Sequence, residues 1–175
     1  MPAYNRSAIV ERMAIPVEQG KENTILRTVS KPVKAFTADL RKFAEEMTKT
    51  MFAENGVGIA APQCGENIRM AIVKLNPGEK NEIVFPMVNP EILELSEEIE
   101  DGEEGCLSLR GYWGHVKRHS FLTVRYQDLK GKSFTLALEH FNARIIQHEV
   151  DHLDGKLFID RAHKVEEVKK SRKKN

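Results

Sequence analysis

Ile145 to Leu153 read I-I-Q-H-E-V-D-H-L, and the reading of these residues decides the rest of the chain. Ile145, Ile146, Val150 and Leu153 recur at helical spacing, so a largely buried helix is predicted. His148 and His152 are four positions apart, a rise of about 6 Å and an offset of about 40° on a helix. Both imidazoles can then reach one metal ion from the same face. Glu149 lies about 100° around from His148, placed to hydrogen-bond a water at the metal without being a ligand. This is the H-E-x-x-H arrangement of a hydrolytic metal site: two nitrogens hold the ion and a carboxylate moves the proton. The bland alternative is a surface helix that carries two histidines and two acids by chance. The apolar flanks argue against it, because a buried polar group without a partner costs on the order of a few kcal/mol. The helix is expected to stop at Asp154-Gly155, with glycine as a left-handed cap, and to take Asn142 as its N-cap.

A catalytic metal usually takes three protein ligands and leaves one position open. The chain has two cysteines, Cys64 and Cys106. So few thiols, with no secretory signal and no apolar run long enough to span a bilayer, make a disulfide framework unexpected and read as cytoplasmic. Cys106 sits in E-G-C-L-S (Glu104 to Ser108), between Gly102, Gly105 and Gly111. A thiolate there is a credible soft ligand for Zn²⁺ or Fe²⁺. An ordinary buried cysteine is the commoner fate of a lone Cys, and it is the role expected of Cys64.

The third unusual segment is G-V-G-I-A-A-P-Q, Gly56 to Gln63. Its small residues let another chain approach closely, so its backbone groups are available to an extended ligand, as in β-strand addition. It is not a phosphate loop, since neither G-x-x-x-x-G-K-[ST] nor G-x-G-x-x-G spacing is present. The Gln63 amide at its end can donate to a developing oxyanion. Alone, this segment reads rather as a tight Gly-rich turn between helix and strand.

Together, in order and at this spacing, the three segments resemble the peptide deformylase family, marked by G-x-G-x-A-A-x-Q, E-G-C-x-S and Q-H-E-x-D-H. The resemblance runs from about Thr28 to Asp160. It implies Cys106, His148 and His152 as metal ligands and Glu149 as general base, with Gln63 and the Leu107 backbone N–H forming the oxyanion hole. Val57, Gly58 and Gly105 would hydrogen-bond the substrate backbone, with Gly56 and Ile59 in the same binding stretch. Phe141 and Ile145, about two turns and about one turn before His148, would line an apolar methionine pocket. One feature departs from the pattern: where a proline commonly follows the second motif, this chain has Arg110, then Gly111-Tyr112-Trp113. That puts the rim of the peptide groove in question rather than the ligands.

The resemblance further implies removal of the N-formyl group from the formyl-methionine of nascent polypeptides, releasing formate. One divalent metal per chain is expected, Fe²⁺ in the cell with Zn²⁺, Ni²⁺ or Co²⁺ as substitutes. It also implies a ribosome contact near the exit tunnel through a basic C-terminal helix. Lys164 to Asn175 carries six basic and two acidic residues, which reads equally as a solvated, fraying end.

The chain has 175 residues, 41% of them hydrophobic, and a net charge of +1. That fits one ordinary globular core rather than a disordered or strongly nucleic-acid-binding chain. The expected layout is one catalytic domain over 1–160 and a basic C-terminal helix or tail over 161–175. A first helix is predicted from Thr37, its N-cap, to Ala53, with Leu40, Phe43, Ala44, Met47 and Met51 as its apolar stripe. Strands are predicted over Met70–Leu75, Ile83–Asn89, Glu91–Ile99, Phe121–Gln127 and Ser133–Leu138, the last two joined by the turn Asp128-Leu129-Lys130-Gly131. The fold class is α+β: small antiparallel sheets around a central metal-binding helix, with an N-terminal and a C-terminal helix. Two rivals stand beside this reading. A zincin endopeptidase would need a downstream His or Glu as third ligand in place of Cys106. A non-catalytic metal-binding or ribosome-associated protein would carry a damaged catalytic set.

Overall fold

The computed structural model describes residues 14–168. Helix α1 (Ala38–Ala53) starts where the Thr37 hydroxyl accepts the Leu40 N–H at 3.2 Å, the cap its sequence predicts. The chain continues through β1 (Gly58–Ala60), β2 (Met70–Leu75), β3 (Ile83–Leu95), β4 (Ile99–Gly105), β5 (Tyr112–His119), β6 (Phe121–Gln127) and β7 (Ser133–Glu139). Helix α2 (His140–Leu153) and a short strand β8 (Lys164–Glu167) follow. Among the described residues there are two antiparallel sheets, ordered β1-β2-β3-β6-β7 and β4-β5-β8.

Residues alternate to opposite faces along a strand, and this decides how the first sheet is buried. Met70 and Ile72 of β2 face α1, joining Met47, Met51, Ile59 and Val88. Ala71, Val73 and Leu75 face α2, joining Ala143, Ile146, Val150 and Leu153. The unbroken apolar run of β2 is thus a strand covered on both sides. Ile146 and Leu153 are almost wholly buried, each stabilising the fold by about 1.5–3 kcal/mol.

From Ala143 to Leu153 helix α2 is largely buried, yet its two sides differ in chemistry. The apolar side meets the five-stranded sheet. The polar side meets the other sheet through specific bonds: Arg144 to the carbonyls of Glu100 and Val116, and Gln147 to both backbone groups of His119. Gly155 closes the helix at φ +70, as its sequence predicts.

Four expectations are corrected. Asn142 is not the N-cap. The cap position is Glu139, three residues earlier, and Asn142 instead accepts the Asn76 N–H at 2.9 Å. The predicted break between Ile83–Asn89 and Glu91–Ile99 is a bulge within one strand, which then ends at Leu95. Asn89 takes φ +50 and its side chain bonds Val33 and Gln127, while the register slips between Val88 and Glu91. Pro90, which has no N–H to donate, is tolerated at such a slip. The stretches 99–105 and 112–119, not foreseen as strands, form the β4–β5 hairpin. Their inward positions are Gly102, Glu104, Gly114, Val116 and Arg118, so charge and glycine replace the apolar signal on the buried face. Finally, Lys164–Glu167 is a strand on the edge of β5, not the start of a helix. The basic run from Lys169 onward lies outside the described residues.

Candidate metal centre

Cys106, His148 and His152 bring one ligand atom each within 4.8 Å of one another. Helix α2 supplies the imidazoles, with ring centroids 5.0 Å apart. The turn after β4 supplies the thiol, whose Sγ lies 3.2 Å from His152 Nε2. His148 donates Nδ1–H to Glu104 Oε2 at 2.9 Å, which fixes the ring's tautomer and leaves Nε2 free for a metal. One sulfur and two nitrogens suit a borderline-soft divalent ion.

Burial alone would raise the Cys106 thiol, but the adjoining His152 and His148 imidazoles more than reverse this and bring it to about 5. The sulfur is therefore a thiolate at neutral pH, the form that binds metal. Glu149 is pushed the other way. Burial raises its carboxyl and the two imidazoles only partly offset that, leaving it at about 7. A carboxyl titrating near neutrality can both take and return a proton. Its Oε2 is buried with no protein partner among the described residues, so a water or substrate proton can occupy that lone pair.

Glu104 anchors the centre. It takes Arg118 through both oxygens at 2.8 and 2.9 Å, and Arg144 at 2.9 Å besides His148. Burial opposes its ionisation, but Arg118 and His148 hold its carboxyl far below the usual carboxylate range. Asp151, between the two histidines in sequence, does not orient either ring; it pairs with Arg118 and Arg161. Sequence reasoning did not single out Glu104, although it stands two residues before Cys106 in the second motif. The lapse has a physical source: a carboxylate with no visible partner in sequence is taken for surface.

The Gln63 side chain is aimed by three contacts. Its Oε1 accepts the Ala60 N–H at 2.8 Å, so its amide N–H₂ must point the other way, toward Ser108 Oγ at 3.1 Å and Cys106 Sγ at 3.6 Å. The segment before α1 braces this region from behind. Glu18 N–H donates to Gln63 O, Gln19 Nε2 to Leu107 O, and Gly20 N–H to Ser108 O, at 2.8–3.0 Å.

A cavity of about 580 Å³ opens over the centre. Gly56, Val57, Gly58, Gln63, Gly105, Leu107, Phe141 and Ile145 all line it, with Cys106, His148 and Glu149. Ile59 does not: its side chain is buried among the α1-facing residues. β1 is the edge strand of its sheet; Gln63 takes the Ala60 N–H, while Gly58 lines the cavity and is the part of the edge placed to meet an extended chain. The glycine at 58 is required by space: a Cβ there would come within 2.2 Å of Glu149 Oε1. At the rim, Trp113 lies over Gly105, and Arg110 reaches Glu54 at 2.7 Å. The departure at Arg110 therefore ties the metal loop to the end of α1 and leaves the ligands where the motifs put them. Among the described residues no third ligand of the zincin kind is at hand: His163 lies beside Asp101.

The chain matches the family described as polypeptide deformylase over residues 16–168. It is similar to the peptide deformylase of Bartonella quintana, at 43% identity over 81% of this chain and 80% of that protein. With the peptide deformylase of Desulforudis audaxviator it shares 46% identity over 79% and 87% of the two. Among solved structures, peptide deformylase from Thermotoga maritima superposes with a TM-score of 0.80 at 37% identity, covering 86% of this chain and 99% of that one. A class I type b peptide deformylase from Acinetobacter baumannii with Met-Ala-Ser bound superposes with a TM-score of 0.78 at 43% identity, covering 85% and 98%.

Proposed function

We propose that this chain, which belongs to the polypeptide deformylase family and removes the N-formyl group from nascent polypeptides, holds its metal with Cys106, His148 and His152 and moves protons with Glu149. The observation that carries this is the convergence of those three donor atoms beside a buried carboxyl with an unpartnered oxygen. A divalent ion in that position supplies Lewis acidity, making water a usable nucleophile near neutral pH. We infer Fe²⁺ in the cell, with Zn²⁺, Ni²⁺ or Co²⁺ able to replace it; an S,N,N donor set accepts all four.

The reaction adds water across the formamide C–N bond and yields formate and a free amine. Glu149 takes the proton of the attacking water and returns it to the leaving nitrogen, a role typically worth about 10²–10⁴-fold. The Gln63 amide and the Leu107 N–H donate to the carbonyl oxygen as it gains charge. The peptide lies along Gly56–Gly58 and Gly105, bonded to their backbone, with the methionine side chain against Phe141 and Ile145. The Met-Ala-Ser found on the Acinetobacter baumannii relative has the chemistry of the product such a groove would release.

No helix among the described residues is long and apolar enough to cross a membrane. Since the substrate arises at the ribosome, we place the enzyme in the cytoplasm and assign the basic residues after Val168 a contact with ribosomal RNA. Their deletion should weaken ribosome co-sedimentation while leaving turnover of free peptide unchanged. The decisive assay for the site is formate release from formyl-Met-Ala-Ser, compared with Met-Ala-Ser and an internal peptide bond. Wild type should act on the first alone, and Glu149→Ala should keep its metal and lose turnover. A metal-free Glu149→Ala protein would make Glu149 a ligand and overturn the assignment.

A further inference from the structure

Asp101, His115 and His163 meet on the solvent face of the three-stranded sheet. Register explains why. In an antiparallel ladder, directly opposed residues share a face; Asp101 is opposed by Lys117, and His115 by Glu103 and Lys164. Asp101 and His115 therefore lie on the same side, diagonal to one another. His163 is brought to them by its own backbone, whose N–H donates to His115 O at 3.1 Å just before β8 begins. The Asp101 carboxylate sits between the two rings: Oδ1 is 3.8 Å from His115 Nδ1 and Oδ2 is 3.3 Å from His163 Nε2. The ring centroids are 6.1 Å apart, about an ångström more than the pair that holds the catalytic metal.

Each of these side chains is a little under half exposed. None lines the main cavity, and the buried anchor Glu104 points to the opposite face of the same strand. The other titratable groups on this face are Glu103, Lys117, His119, Lys164 and Glu166, with His119 Nδ1 held against Ser96 O. Lys164 and Glu166 are joined to each other at 2.7 Å, and neither lysine bonds Asp101 among the described residues.

We propose that Asp101, His115 and His163 form a second, surface site for a divalent transition-metal ion of the zinc class, separate from the catalytic centre. Two imidazoles and a carboxylate are a sufficient three-ligand set, with water completing the tetrahedron. Unlike the Cys106, His148 and His152 donors, these three do not all lie within 4.8 Å of one another as placed, so a shared ion requires the two exposed rings, 6.1 Å apart, to turn toward it. The ion would clasp three pieces of chain that are distant in sequence: β4, β5 and the segment leading into β8. It would thereby hold the last described strand on the sheet, and an ion that binds only the folded state stabilises it by mass action.

The test uses holoenzyme with its catalytic metal in place and adds Zn²⁺ alone. Calorimetric titration should show one further equivalent bound, and the thermal midpoint should rise with zinc. His163→Ala, His115→Gln and Asp101→Asn should each lose that equivalent and the rise, while hydrolysing formyl-Met-Ala-Ser at the wild-type rate without added zinc. Asp101→Asn differs by a single atom type, so it reports even if a histidine variant folds poorly. Absence of a further equivalent in wild type would overturn the proposal. So would a further equivalent that survives in all three variants.

Discussion

Glu104 Oε2 accepts the His148 Nδ1–H at 2.9 Å, and the same carboxylate neutralises Arg118 and Arg144 inside the protein. One side chain thus aims a proposed metal ligand and satisfies two buried cations. Glu104→Gln should weaken metal binding by about 10–100-fold. It should also cost about 3–5 kcal/mol of stability, because it leaves buried charge uncompensated. Chelator competition and urea unfolding measure the two. Wild-type metal affinity in this variant would mean that His148 is oriented by something else.

Gly58→Ala puts a methyl group into the Glu149 carboxylate. Turnover should fall at least tenfold, since a displaced base loses much of its contribution, and the fold should be destabilised. Adding Glu149→Ala should restore the stability that Gly58→Ala removed, because the clashing atoms are gone. Unfolding of the two single variants and the double variant checks this; additive losses would place the clash elsewhere.

Gln63→Ala removes a donor already aimed by Ala60 and keeps every ligand. The expected loss in kcat/KM is about 2.7–4 kcal/mol of transition-state stabilisation, with metal content unchanged. A variant near wild-type rate would leave the Leu107 N–H as the sole oxyanion donor.

The two thiols should separate cleanly on chelation. Burial, and then the Glu149 charge, push Cys64 up to about 12, so it should resist iodoacetamide at neutral pH in both holo and apo protein. Cys106 should be protected by metal and become labelled once the metal is stripped. Peptide mass mapping reads the outcome, and labelling of Cys64 in folded protein would contradict its burial.

Asp160 gives a pH signature outside the centre. Burial opposes its ionisation, but the bond from Arg27 and the Leu157 N–H lower its carboxyl below the ordinary value of 3.8. Its stabilisation is therefore complete above that value and disappears as pH falls through the lower folded-state value. The stability difference between wild type and Asp160→Asn should be constant near neutrality and shrink below about pH 4. The effect will be modest, since the pair is partly open to solvent and screened. A difference that grows on acidification would reverse the assignment.

Helix α1 was legible because its apolar period and its Thr37 cap agreed, and α2 because its apolar period and histidine spacing did, although its N-cap is Glu139 rather than Asn142. β2 and β6 were legible from apolar runs or alternation. The β4–β5 hairpin was not, because the face it buries carries Glu104 and Arg118. Each is burial-compatible only through the other, and that partnership spans 14 residues. Asp151 shows the same limit: its partners Arg118 and Arg161 are set by folding, not by spacing. Among the binding residues, Ile59 stood within the glycine-rich motif but alternation sends its side chain toward α1.

The bracing of Gln63, Leu107 and Ser108 by residues 18–20 has a kinetic consequence. Gln19 and Leu107 are 88 positions apart, and the thiolate joins the helix across 46. Such long-range closures are entropically late. No short stretch of the chain holds the proposed base, ligands and oxyanion donors together, since they are spread from Gln63 to His152, so catalytic competence should appear late, with completion of the fold. Refolding followed by activity should therefore track burial of the core, with no early active phase.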